Sequence, residues 1–274
     1  MKKIKLIYIY FLLTVVIFAQ EGYIASFNTL RLGKSQKDYT VTAQTLEMFD
    51  IAGLIEVMDV EGVEKLVNAL NKVSGEKWDY HISPYPVGKN SYKEYFAYVW
   101  KRDKVEFLKE RGFYKDVEEK FARPPYGADF KIGEFDFTFV LVHSVFGKNE
   151  SARRAEAFKM NEVYDYFQNM DSEENDIIIA GDFNLSGFDE SFEKLLSHPD
   201  KITYALSPVI KTTLGKKNLA NSYDNMFLST IYTKEFTGKS GALDFTQGQY
   251  RLMKDKISDH LPIFIVVEIS EDDD

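Results

Sequence analysis

Ile177, Ile178, Ile179 and Ala180 run without a polar break into Gly181-Asp182-Phe183-Asn184. Farther on, Ser258-Asp259-His260 opens onto a second apolar stretch, Leu261 to Ile269. Apolar runs of this length read as strands buried on both faces, because a strand with one wet face alternates instead. Polar residues attached to such a strand sit where the chain leaves the sheet, which is where α/β proteins build their sites. Two strand ends therefore deliver carboxylates, an amide and an imidazole. Either cluster alone is compatible with a turn carrying a solvated aspartate. The two together, with matching polar residues elsewhere, point to a site.

The remaining pattern is that of an α/β chain. A strand is predicted at Tyr23 to Asn28, a helix from about Thr40 to Phe49, a buried strand at Ile51 to Val57 and a helix at Glu61 to Asn71. This βαβα opening is followed by strands at Trp78 to Ile82, Tyr95 to Lys101, Val105 to Leu108 and Phe135 to His143, separated by loops as in antiparallel pairing. Asn149 to Gln168 is the longest predicted helix, with Ala152, Ala155, Phe158, Val163 and Phe167 able to share a face. A helix near Ser191 to Leu196 and strands near Asp224 to Ser229 and Leu261 to Ile269 complete the set. The chain shows no linker, low-complexity block or short repeat, so residues 20–270 are expected to form one domain, followed by a solvated acidic tail at 271–274. With 274 residues, 45% hydrophobic and 15% aromatic, there is enough apolar material for a sizeable core.

Met1-Lys2-Lys3-Ile4-Lys5 followed by thirteen apolar residues, Leu6 to Phe18, has the layout of a secretory signal cut near Ala19. The alternative is a membrane anchor, for which this stretch is short against the about 20 residues a span needs. A secreted, periplasmic or extracellular location is the expectation. The chain has no cysteine, so no disulfide can staple the exported protein. Loss of Lys2, Lys3 and Lys5 takes the formal net charge from -9 to -12, which excludes a uniformly basic nucleic-acid footprint. Bound cations and a few local Lys or Arg groups can still reverse the field at a site.

The polar residues at predicted strand ends are Asn28, Glu56, His143, Asp182, Asn184, Asp224, Asp259 and His260. Such a loose set of carboxylate and amide oxygens suits a hard cation such as Mg²⁺, which takes one or two carboxylates and keeps several waters. A thiolate zinc site is excluded by the absence of cysteine, and four histidines leave little for a His-rich one. Imidazoles near acidic residues supply groups that titrate close to working pH. Metal, acid and base together are what hydrolysis of a phosphate ester requires.

At these residues the chain resembles the endonuclease/exonuclease/phosphatase superfamily, and within it deoxyribonuclease I. The resemblance runs from Ala25-Ser26-Phe27-Asn28 to the last strand; its most specific segment is Gly88-Lys89-Asn90-Ser91-Tyr92-Lys93-Glu94, and Leu243-Asp244-Phe245 also looks like that branch. It implies a four-layer α/β sandwich, two mixed sheets face to face with helices outside. It further implies that Glu56 is the principal metal ligand, with Asn28 and Asp259 in the same metal and phosphate shell. Glu94 would orient His143 and Asp224 would orient His260, the two pairs acting on opposite sides of the scissile phosphate. Which imidazole is base and which is acid stays open, and in some schemes for relatives Asp182 is the base. Asp182 and Asn184 would lie against the phosphate; Asn90, Tyr92 and Arg123 match positions that touch nucleic acid.

The resulting expectation is a monomeric, Mg²⁺-dependent endonuclease acting on DNA, double-stranded in the first instance, with Mn²⁺ or Ca²⁺ as alternative ions. The rival readings are a sphingomyelin-type phosphodiesterase of the same superfamily and a non-catalytic binding or toxin subunit that kept the fold. Three departures from the family's pattern bear on substrate grip and on structural calcium. Met58 stands where deoxyribonuclease I has an arginine in the minor groove, Arg31 comes one residue later than usual, and Lys211 replaces an expected calcium-binding aspartate. His81 and His198 are expected to be structural, and Lys148, Arg153 and Arg154 to form a solvated face.

Overall fold

The computed structural model describes residues 20–89, 92–147, 150–170, 174–270 and 272. The expected secretory segment, Asn90, Lys148 and most of the acidic tail lie outside the described residues. In one sheet the strands are β1 (Glu21–Leu32), β2 (Ile51–Val57), β3 (Trp78–Ile82), β4 (Tyr95–Lys101), β11 (Phe236–Ala242) and β12 (Ile263–Glu268), in the order β11-β12-β1-β2-β4-β3. The other holds β5 (Val105–Phe113), β6 (Tyr126–Ile132), β7 (Phe135–His143), β8 (Ile177–Asp182), β9 (Ile202–Tyr204) and β10 (Asp224–Ser229), in the order β5-β6-β7-β8-β10-β9. Both sheets are mixed: β1 with β2 and β7 with β8 run parallel, and the other pairs are antiparallel.

The sheets face each other across an aromatic core in which Phe96, Tyr98 and Trp100 of β4 meet Phe130, Phe137 and Phe139 of the opposite sheet. Tyr98 is fully buried, and its hydroxyl reaches the carbonyl of Phe139 at 2.8 Å and of Tyr126 at 3.0 Å, so the one polar atom it brings into the interface is satisfied by the opposite sheet. Outside the first sheet lie α1 (Tyr39–Leu46) and α2 (Val60–Ser74); outside the second lie α3 (Ser151–Ala157) and α4 (Met160–Gln168). In α2 the buried residues Val63, Leu66, Val67 and Leu70 repeat at helical spacing. Its start is capped by Asp59, which accepts from the Gly62 amide at 2.7 Å, and its end by Gly75 at φ +73°. Two short helices, α5 (Glu193–Leu196) and α6 (Tyr250–Lys256), complete the set. This is the four-layer arrangement expected.

The elements that differ from expectation have local causes. Strand β6 carries Gly127, Asp129 and Lys131, and its polar centre is buried only because Asp129 is paired with Arg111 at 2.7 Å and accepts from Thr138 at 2.7 Å. Strand β11 holds two glycines at a sheet edge, and helix α6 buries none of its residues. Neither shows an apolar period. The single helix expected over Asn149 to Gln168 is two helices, parted at Phe158 and Lys159, and the Phe158 ring is nearly half exposed.

Gly181, just before Asp182, has φ +150°, and a β-carbon there would lie 1.8 Å from the Val142 carbonyl oxygen. Backbone, not a movable side chain, occupies that space. Gly181→Ala is therefore expected to cost about 2–4 kcal/mol, combining backbone strain and overpacking. Chemical denaturation checks this, and an unchanged midpoint would show that β8 approaches β7 less closely.

Candidate active site

The ends of β1, β2, β7, β8 and β10 converge with the turn before β12 on a pocket of about 350 Å³. Glu56, Tyr92, Arg123, His143, Asp182, Asn184, Asp259 and His260 line it, all of them singled out from sequence. Asn28, Glu94 and Asp224 stand immediately behind, each bonded to one or more of these.

His143, on β7, has Glu94 Oε1 at 2.5 Å on Nδ1, and Glu94 is wholly buried on the opposite sheet's side. His260, before β12, has Asp224 Oδ2 at 2.8 Å on Nδ1, with Asp224 at the start of β10. Each imidazole thus turns its Nε2 to the pocket. Between them stands Asp182, whose Oδ2 lies 3.8 Å from His143 Nε2 and 3.5 Å from His260 Nε2. Two oppositely mounted dyads face one carboxylate oxygen.

Burial disfavours the charged form of both imidazoles, but the carboxylates win. In His143 the charge and hydrogen bond of Glu94, helped by Asp182 and opposed by Arg123, leave the pKa above the ordinary value. In His260 burial is outweighed by Asp224, Asp182 and Asp259 together, and the pKa is raised to about 10. Asp182 is itself raised by burial and by Asp224, against the pull of the two imidazoles. Arg123 Nε is 3.1 Å from Glu94 Oε2 and Nη1 donates to the His143 carbonyl at 3.3 Å. Its guanidinium thus braces the His143 dyad as well as bordering the pocket.

Glu56 adopts φ +57°, and Leu30, Arg31 and Asn184 also have positive φ. Strained backbone of this kind concentrates at functional sites, where surrounding structure holds it. Asn28 Nδ2 donates to Glu56 Oε1 at 3.1 Å and Asp182 Oδ2 at 3.2 Å, while its oxygen accepts from the Leu30 amide at 3.0 Å. Asn28 therefore presents its amide protons to the two carboxylates, not a free oxygen. Tyr92 donates to Glu56 Oε2 at 2.8 Å and lies under two guanidinium groups, Arg31 at 5.4 Å and Arg123 at 5.5 Å from its ring centre. Asp259 pairs with Lys254 at 2.8 Å.

The donor chemistry fits a hard divalent cation. Glu56 and Asp259 put carboxylate oxygens on one pocket, and ammonium groups already gather there: Lys254 sits on Asp259, and Lys37, its pKa lowered by burial to about 8, is drawn by Asp259 and Glu56. Asp182, Asp224 and His260 also lie close enough to share an ion. There, however, Asp224 is committed to His260 Nδ1 and to Thr212 Oγ1 at 2.6 Å, so its oxygens are already engaged in the present arrangement.

Several groups at the site carry no sequence signal. Thr212 accepts from the Tyr223 and Asp224 amides at 3.1 Å while donating to Asp224, so it fixes the dyad's carboxylate; no motif marks it. Arg153 is a correction. Instead of lying on a solvated face it is buried, donates to the Asn184 carbonyl at 2.8 Å, and faces the Phe146 and Tyr223 rings that line the pocket. Arg154 is exposed as expected. Met58 is buried. His81 bonds the Tyr126 hydroxyl at 2.7 Å and His198 pairs with Asp165 at 3.0 Å, both away from the pocket.

No family model matches the chain. It is 28% identical over 258 residues to a deoxyribonuclease of Thioalkalivibrio sp., covering 89% of this chain and 70% of that protein. It is 26% identical over 271 residues to deoxyribonuclease-1 of Bos taurus, covering 89% and 91% respectively. Similarity to deoxyribonucleases over nearly the whole chain supports the deoxyribonuclease I-like branch of the endonuclease/exonuclease/phosphatase superfamily. A solved endonuclease/exonuclease/phosphatase family protein from Bacteroides thetaiotaomicron superposes with a TM-score of 0.62 at 18% identity, covering 94% of this chain and 99% of that one, which shows the shared fold. As a deoxyribonuclease I-like protein it is a hydrolase acting on phosphodiester bonds. Of the residues to which the resemblance assigns a role, only Asn90 lies outside the described structure.

Proposed function

We propose that the protein is a secreted, Mg²⁺-dependent endonuclease that hydrolyses DNA phosphodiester bonds by direct attack of water. The observation that carries this reading is the pair of imidazoles, each with its own carboxylate, set on either side of Asp182 Oδ2 at 3.8 and 3.5 Å. A phosphate placed between two Nε2 atoms has one proton-transfer group toward the attacking water and one toward the leaving oxygen. His260, surrounded by three carboxylates, holds its proton the more firmly and is assigned to the leaving oxygen as acid. His143, whose hold on its proton Arg123 loosens, is assigned to the water, with Asp182 positioning that water between them.

Glu56 and Asp259 would hold the metal, with Asn28 and Tyr92 fixing the Glu56 carboxylate. When bound, the ion neutralises charge that develops on the phosphate. Asn184, whose amide donates to Ser144 O at 3.0 Å, is held rigidly against the same wall. A sphingomyelin-type reading calls for a membrane-inserting aromatic hairpin. The exposed aromatic side chains among the described residues, Tyr85, Phe146, Phe158 and Phe188, lie in separate connections, with no two on one hairpin. A non-catalytic role calls for a missing site residue, and both dyads are intact.

Incubating the purified mature protein with supercoiled plasmid tests the reading. Nicking and linearisation are expected with Mg²⁺ and none with EDTA. Cleavage that persists undiminished in excess EDTA sinks the metal assignment. No cleavage of any DNA under Mg²⁺ or Mn²⁺ sinks the nuclease reading.

A further inference from the structure

Leu214 forms part of the catalytic pocket and also lines a neighbouring cavity of about 740 Å³. Around that cavity stand Lys216, Lys217, Arg251 and Lys254, against a single carboxylate, Asp255. The chain as a whole has 43 acidic and 34 basic residues, so a cleft with four cations to one anion runs against its composition. Among the described residues, Lys216, Lys217 and Arg251 are exposed and make no ion pair, whereas Lys254 reaches back to Asp259 in the catalytic pocket at 2.8 Å. The cations come from two segments far apart in sequence, the loop after Leu214 and helix α6. None of the α6 residues is fully buried, so packing does not account for the choice of Arg251 and Lys254.

Like charges brought together across one cleft repel, and a bound polyanion relieves that repulsion. The placement matters too: Lys254 links the cleft to Asp259, and Leu214 is common to both walls, so the cleft adjoins the catalytic pocket. We infer that this basic cleft is a second binding site, which takes the phosphodiester backbone of duplex DNA on one side of the cut, with Lys216, Lys217 and Arg251 each facing a phosphate. The inference rests on the nuclease reading for its ligand, and it locates positive field that the net charge of -9 conceals.

The test uses the full mature protein and a triple variant, Lys216→Glu, Lys217→Glu and Arg251→Glu, with the corresponding Gln triple as a milder control. Melting by circular dichroism checks that all are folded; these exposed positions carry little of the core. Binding of a fluorescein-labelled duplex, about three helical turns long, is measured by anisotropy in EDTA across a salt series, so that it does not depend on catalysis. The Glu triple is expected to bind about tenfold or more weakly at low salt, with the slope of log affinity against log salt flatter by roughly 0.9 for each phosphate no longer neutralised. Turnover of bis(4-nitrophenyl) phosphate, too small to reach the cleft, is expected to stay as in the parent protein. Equal affinity and equal salt slope in the folded triple variants overturn the proposal, as does failure of the parent protein to bind duplex at any salt. Duplex binding that depends on the cleft without any cleavage under Mg²⁺ or Mn²⁺ upholds the site and overturns the nuclease reading.

Discussion

His143→Ala and His260→Ala are each expected to lower DNA hydrolysis by about 10²- to 10⁴-fold, the usual contribution of a general acid or base, while the protein stays folded. Each imidazole is buried, pinned through Nδ1 by a carboxylate from the facing sheet, and aimed through Nε2 at the Asp182 oxygen. Neither can take over the other's task, because the two reach the pocket from opposite sides. The fold is expected to survive because the orphaned carboxylates keep other partners: Glu94 retains Arg123 at 3.1 Å, and Asp224 retains the Thr212 hydroxyl at 2.6 Å. If both protons move in one concerted step, the double variant is scarcely worse than the poorer single one, since groups acting as a unit do not add. Initial rates on plasmid and circular dichroism melts decide the matter. Near-parental turnover by either folded single variant would remove that imidazole from the mechanism.

The second large effect is on metal dependence. Glu56→Gln is expected to raise the half-saturating Mg²⁺ concentration by on the order of tenfold or more, since even outer partners of metal ligands commonly cost about 10–100-fold in affinity. The exchange removes one negative charge at nearly constant size. It also leaves the Asn28 and Tyr92 donors facing an amide in place of a carboxylate. Glu94→Gln is the matched control: its oxygens serve His143 and Arg123, so it should lower the rate at saturating Mg²⁺ without moving the midpoint. A Glu56→Gln titration that overlays the parent curve places the ion elsewhere, and the cluster of Asp182, Asp224 and His260 becomes the next candidate.

The parts of this protein legible in sequence are those where chemistry and burial leave the same mark. The run Ile177 to Ala180 is apolar because β8 is covered on both faces, and Asp182 and Asn184 follow because the chain emerges there. Strand β6 is invisible in sequence because its buried charge, Asp129, is neutralised by Arg111, which lies on a different strand and becomes its neighbour only in the sheet. Arg153 misleads for the same reason. An arginine near a helix start reads as solvated unless the Asn184 carbonyl and the Phe146 and Tyr223 rings that receive it are known. Thr212 carries no signal at all, since one threonine hydroxyl near one aspartate is a tertiary accident of the chain path. The family resemblance supplies the pairing of each imidazole with its carboxylate, which no local pattern contains.

Each dyad spans the sandwich, and in opposite senses: His143 from the second sheet meets Glu94 beside the first, while His260 beside the first meets Asp224 of the second. The second sheet is built from one continuous stretch, β5 to β10, whereas the first waits for β12, the last strand among the described residues, to flank β1. During synthesis, then, every strand of the second sheet precedes β12, and a polypeptide short of that strand possesses only one of the two imidazole–carboxylate dyads. His260 immediately precedes the strand that closes the first sheet, so competence arrives together with completion. Until that strand is in place, a nascent chain holds one dyad and lacks the imidazole of the other.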